Sequence, residues 1–96
     1  MDAELLSYFK QDFKDGTVIE AVVWKVPKDK ERSHGFKYRL YFGKLDGTCI
    51  TRYDNEKGKG DHRHIGKREE VYQFISLEKL LNDFKQDVRK YRKRMK

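Results

Sequence analysis

Two Asp-Gly pairs, Asp15-Gly16 and Asp46-Gly47, each separate runs of alternating or β-branched residues. Aspartate followed by glycine tolerates the positive φ that a tight hairpin turn demands, so each pair predicts an antiparallel reversal. The runs joined in this way are Leu5 to Phe13 with Thr17 to Val26, and Phe36 to Gly43 with Thr48 to Tyr53. Leu5, Leu6, Phe9 and Phe13 also fit a helical spacing, and the turn that follows them decides for a strand. Pro27 ends the second run, because a proline cannot donate to a ladder, and Lys28 to Gly35 is a polar loop.

In the second run Val18, Val22, Trp24 and Val26 share one side and Ile19, Ala21 and Val23 the other, which predicts a strand covered on both sides over part of its length. Phe36, Tyr38, Leu40 and Phe42 alternate with Lys37, Arg39 and Tyr41. Trp24 and the alternating aromatics of the third run read as core, and Val71 to Phe74 as a short edge strand. Ser76 then has the character of a helix N-cap, with Glu78 in the first turn, and Leu77, Leu80, Leu81, Phe84, Val88 and Tyr91 recur on one helical face. The expected fold is α+β, an antiparallel meander of four to five strands covered on one face by a C-terminal helix.

A chain of 96 residues predicts one domain, 1–96. Its formal charge of +7 is unevenly spread: seven of the 23 Lys and Arg residues and one carboxylate fall within residues 85–96, so the basicity belongs mostly to the tail, 89–96. Cys49 is the one cysteine, which excludes an internal disulfide and suits a reducing interior. No membrane span and no secretory leader is legible, and the expected location is cytoplasmic.

The most concentrated chemistry is "YDNEKGKGDHRH", residues 53–64. On extended backbone His62 and His64 project to one side and Arg63 to the other, while Asp61 projects with Arg63 unless a turn at Gly58 and Gly60 brings it round. Imidazole has an unperturbed pKa of roughly 6.5, so one histidine can act as base while another acts as acid. That division suits cleavage of RNA through its own 2′-hydroxyl, with no cofactor and no metal. The candidate reacting groups are His62 and His64, with His34 or Asp61 orienting them and Tyr53, Asp54 and Glu56 nearby. Lys57, Lys59, Arg63, Arg39 and Arg52 are candidate phosphate contacts, and the backbone N–H groups of Gly58 to Gly60 a candidate anion nest. A metal site of His62, His64 and a carboxylate, Asp61, Asp54 or Glu56, with His34, is the competing arrangement. A nucleic-acid or ribosome binder that performs no reaction is a third reading.

The segments "VVWKVP", "SHGFKYRLYFG", "YDNEKGKGDHRH", "REEVYQF" and "LLNDFKQDV" together resemble the TumE family of small toxins from prokaryotic type II toxin-antitoxin pairs. The resemblance runs from about Leu5 to about Val88. It implies a growth-inhibiting protein made with an antitoxin that bears a helix-turn-helix DNA-binding domain. Carried over position by position, it points to His34, Tyr53, Asp54, Asn55, Glu56, Lys59, Asp61, His62 and His64. RNA is the implied target, a homodimer stays open, and the basic tail after Val88 departs from the family pattern.

Overall fold

A computed structural model describes residues 3–56 and 58–94. Six strands and one helix follow in chain order: β1 Glu4–Asp12, β2 Thr17–Lys25, β3 Phe36–Lys44, β4 Cys49–Asp54, β5 His62–Ile65, β6 Arg68–Val71 and α1 Leu77–Arg94. The strands form one antiparallel sheet in sequence order. The α+β meander is as expected, with six strands where four to five were anticipated.

Both Asp-Gly turns form. Gly16 and Gly47 take φ of 85° and 96°, and Asp15 and Asp46 accept the N–H groups of Thr17 and Thr48 at 3.0 and 2.9 Å. Each carboxylate thus replaces a backbone acceptor that the reversal removes. The extra hairpin, β5 to β6, turns at Gly66 with φ of 59°. Only Ile65 and Val71 of its eight strand residues are apolar, so no apolar alternation announces them, and the expected edge strand at Val71 to Phe74 is displaced to Arg68–Val71. Phe74 lies outside the sheet and stacks on His34 with ring centroids 3.8 Å apart.

The helix begins where Ser76 Oγ accepts the Lys79 N–H at 3.1 Å. Its buried stripe, Leu80, Phe84 and Val88, meets Val23, Tyr38, Leu40, Phe42 and Tyr53 on one face of the sheet. Asp87 fastens the helix to that face: it accepts Tyr53 Oη at 2.6 Å, Thr51 Oγ1 at 3.2 Å and Arg63 Nη2 at 2.8 Å. Among the described residues no helix is long and apolar enough to cross a membrane.

Two sequence expectations fail on the opposite face. The single helix covers only the Ile19, Ala21 and Val23 side of β2, so the strand is not enclosed on both sides. Trp24, read from the sequence as core, lies on the uncovered side beside Val22, half-buried by its strand neighbours. Among the described residues there is one helix, and one helix shields one face.

Candidate active site

The register sets which residues meet on the uncovered face. Asp54 on β4 pairs with His62 on β5, Arg52 pairs with His64, and Arg39 and Tyr41 on β3 flank them as partners of Asp54 and Arg52. Because these pairs are direct cross-strand neighbours, the side chains converge within about 5 Å without any special loop. His62 and His64 stand on one side of β5 with ring centroids 5.0 Å apart.

His62 and Asp54 are both buried, 5% exposed each. His62 Nδ1 is 3.0 Å from the Gly60 carbonyl oxygen, and its Nε2 is 2.6 Å from Asp54 Oδ1 and 3.3 Å from Glu69 Oε2. All these neighbours are acceptors: Nδ1 is within hydrogen-bond reach of the Gly60 carbonyl, and Nε2 faces two carboxylates. The Asp54 contact is close but off the line of a hydrogen bond, as is that of Arg52 Nε, 2.9 Å from Asp54 Oδ2. We read both as ion pairs held by charge and proximity, which leaves Asp54 Oδ1 with acceptor capacity.

His64 is placed differently. Its Nε2 lies 2.9 Å from Arg52 Nη2, which can only donate, and 3.2 Å from Glu69 Oε2, which can only accept when ionised; towards the guanidinium this nitrogen presents a lone pair, with the ring proton on Nδ1. Burial, followed by the charge of Arg52, holds the His64 pKa below the ordinary imidazole value. The two imidazoles thus have unlike surroundings, carboxylates at His62 Nε2 and a guanidinium with one carboxylate at His64 Nε2. A cleft of about 250 Å³ opens on the His62 side of the pair, lined by Arg39, Arg52, Asp54, Glu56, Lys59 and His62, with His64 outside its lining.

The structure divides the sequence-derived candidates between two faces. His62, His64 and Asp54 come together with Arg52 and Arg39, and exposed Glu56 and Lys59 form the rim. His34 and Asp61 do not join them. His34 Nδ1 accepts the Phe36 N–H at 3.1 Å, so its Nε2–H donates to Asp61 Oδ1 at 3.0 Å, and Tyr38 Oη donates to the same oxygen at 2.6 Å. This trio lies on the helix-covered side, and the carboxylate beside His62 is Asp54.

Tyr53 is 1% exposed with its hydroxyl on Asp87, so it offers no surface to a base. Burial and that hydrogen bond raise its pKa far above neutrality. Arg63 is committed to Asp87 and Glu70 on the covered side. The expected anion nest is partly spent, since the Gly58 N–H donates to Glu31 Oε2 at 2.7 Å and the Lys59 N–H to the Glu56 carbonyl at 3.1 Å. Lys57 lies outside the described residues.

Glu69 was missed in the sequence, and Asn55, named there through the family resemblance alone, was given no structural role. Glu69, opposite His64 on β6, sits 3.2 Å from His64 Nε2, and only the unforeseen hairpin could have located it. Asn55, 1% exposed, accepts the Tyr38 N–H at 3.0 Å and donates to the Phe36 carbonyl at 2.7 Å, fixing the end of β4 on which Asp54 stands. An asparagine inside a polar block gives no sign of such burial.

Asp54, His62 and His64 also offer one ligand atom each within 4.8 Å of one another. Such a set suits a divalent transition metal in kind. The guanidinium of Arg52, within 2.9 Å of both Asp54 Oδ2 and His64 Nε2, places a fixed positive charge where that ion would sit.

The family model described as Toxin TumE matches residues 3–92. No curated protein and no solved structure matches the chain. The chain belongs to the TumE toxin family.

Proposed function

We propose that this TumE-family toxin is a metal-independent endoribonuclease in which His64 is the general base and His62 the general acid. The observation that carries the reading is the unlike surroundings of two adjacent imidazoles, one against a buried carboxylate and the other against a guanidinium. His64 has a lone pair at Nε2 and a lowered pKa, and His62 has an acceptor against each ring nitrogen. General acid–base catalysis needs that asymmetry at a single pH.

In the proposed reaction a phosphodiester settles over the cleft and draws Arg52 onto a non-bridging oxygen, which frees His64 Nε2. That nitrogen removes the proton of the ribose 2′-hydroxyl, and the 2′-oxygen attacks phosphorus. Arg52 and Arg39 offset the charge that grows on the phosphorane oxygens. The bond from phosphorus to the 5′-oxygen breaks as His62 supplies a proton to that oxygen. The products are a 2′,3′-cyclic phosphate and a 5′-hydroxyl, and no atom is drawn from a metal or cofactor. Asp54 is a positioning residue that holds the His62 imidazolium.

The partner in this reading is a cognate antitoxin with a helix-turn-helix DNA-binding domain, acting in the cytoplasm, and the chain functions as a single 96-residue domain. A homodimer is compatible with it. A metal-dependent reaction is the second reading, favoured by the converging ligand atoms of Asp54, His62 and His64 and opposed by Arg52. The test is cleavage of an RNA oligonucleotide with and without chelator, by wild type and by His64→Ala. Chelator-resistant cleavage that needs His64 supports the first reading; cleavage abolished by chelator supports the second.

A further inference from the structure

The uncovered face extends well beyond the two histidines. Its residues fall in transverse rows given by the register. One row runs Tyr8, Val22, Arg39, Asp54, His62, and the next holds Lys10, Glu20, Tyr41, Arg52 and His64. A third brings Leu5, Trp24 and Lys37 side by side.

Three aromatic rings, Tyr8, Trp24 and Tyr41, thus share one face with the cations Lys37, Arg39 and Arg52. Tyr8 is 57% exposed, and the Arg39 guanidinium lies over the Tyr41 ring at 5.1 Å. The carboxylates beside these groups have partners: Glu20 accepts from Tyr8 Oη at 3.3 Å, Asp54 lies against Arg52 and His62, and Glu69 lies against His62 and His64.

We infer that the uncovered face is a platform for single-stranded RNA, with bases stacked on Tyr8 and Trp24 and the backbone led across Lys37 and Arg39 to the cleft at His62. This inference rests on the ribonuclease reading and extends it from the reacting groups to the form of the substrate. Strands stand about 4.8 Å apart, so the row from β1 to β5 spans roughly 19 Å, enough for a short run of nucleotides. Rings spaced across a sheet among cations fit unpaired bases joined by phosphates, whereas a duplex hides its base faces. An acidic protein would meet the cations but leave the rings without a matching partner.

Trp24 is the one tryptophan of the chain and reports on its own site. The probe is a short single-stranded oligonucleotide with every 2′-hydroxyl methylated, which binds without being cleaved. The platform predicts saturable quenching of Trp24 fluorescence, weaker quenching by the same sequence as a duplex, and affinity that falls steeply with salt. Tyr8→Ala, and Trp24→Leu followed by anisotropy of a labelled oligonucleotide, each weaken binding roughly tenfold at unchanged circular dichroism.

Equal affinity for the duplex, or full affinity in both variants, overturns the platform. So does a result in which the two substitutions spare RNA binding and abolish antitoxin binding. The two readings separate cleanly: quenching retained while cleavage is indifferent to His64→Ala sinks the reaction and keeps the platform. Cleavage that needs His64 with no quenching does the reverse.

Discussion

The two faces of this sheet carry similar residue types to opposite ends. On the covered face a histidine, an aspartate and a tyrosine, His34, Asp61 and Tyr38, close on one another beneath Phe74, and every hydrogen-bonding atom of the imidazole is spent inside the fold. On the open face His62, His64 and Asp54 are just as tightly paired, but their partners include an arginine that a phosphate can recruit, and a cleft lined by His62, Asp54 and Arg52 lies beside them. Both groups contain a histidine–carboxylate contact of 3.0 Å or less, so the contact alone identifies nothing. What separates them is that the open-face group borders a cleft and stands beside an arginine, whereas the covered group is closed inside the fold.

The sharpest break of this comparison is truncation on each side. His64→Ala and His62→Ala are expected to lower RNA cleavage by about 10² to 10⁴-fold, the usual worth of a general acid or base. His34→Ala should leave the rate per folded molecule within a few-fold of wild type; a His34 loss as deep as that of His64 would erase the distinction between the faces. Asp61→Ala comes next, with a different signature. It strips Tyr38 and His34 of their acceptor in a mostly buried place, and urea unfolding should show a loss of about 2–3 kcal/mol with cleavage by the remaining folded protein intact.

Tyr53→Phe probes the covered face more gently. The phenol gives Asp87 one of several hydrogen bonds, so the expected cost is about 1 kcal/mol of stability, with RNA cleavage unaffected. A large loss of cleavage there would mean that Tyr53 takes part in the reaction, contrary to its burial.

The smallest effect expected is a shift in pH dependence. The lowered pKa of His64 keeps its ring neutral below the pH at which an ordinary imidazole protonates. The acid limb of kcat/KM should therefore fall below that ordinary value, with activity lost as pH drops through the depressed pKa. For stability the sign is the same: protons bind the unfolded imidazole more readily, so this group disfavours the fold as pH falls below its unfolded value. Arg52→Gln removes one of the two leading causes of the shift, and the limb should move to higher pH. An unmoved limb would assign it to another group.

How much of this was legible follows from the kind of information each feature needs. The two Asp-Gly hairpins and the helix are local: a turn chemistry and an apolar stripe that specify themselves within a dozen residues. The placing of both imidazoles on one side of β5 also follows from alternation alone, and so does the departure of Arg63 to the other side. Asp61 obeys the same alternation and goes with Arg63, so the residue nearest in sequence to His62 is not its partner. Asp54 takes that place through the β4–β5 register, which depends on how many residues the intervening loop absorbs, and composition does not fix that number. The β5–β6 hairpin was hidden because "HRHIGKREEV" has charge where strands of a core would have valine or isoleucine, and Glu69 was hidden with it. Trp24 was misplaced because a large apolar residue was assumed to need cover, whereas one helix on six strands leaves a whole face without it.

The most direct test of the central claim is the chemistry of the ends produced when the purified protein cuts RNA in the presence of a chelator. Two imidazoles working as base and acid on the open face predict 2′,3′-cyclic phosphate and 5′-hydroxyl ends, formed at an undiminished rate by wild type and lost in His64→Ala. Ends bearing a 5′-phosphate, or cleavage that stops with the chelator or continues unchanged in His64→Ala, would contradict the account.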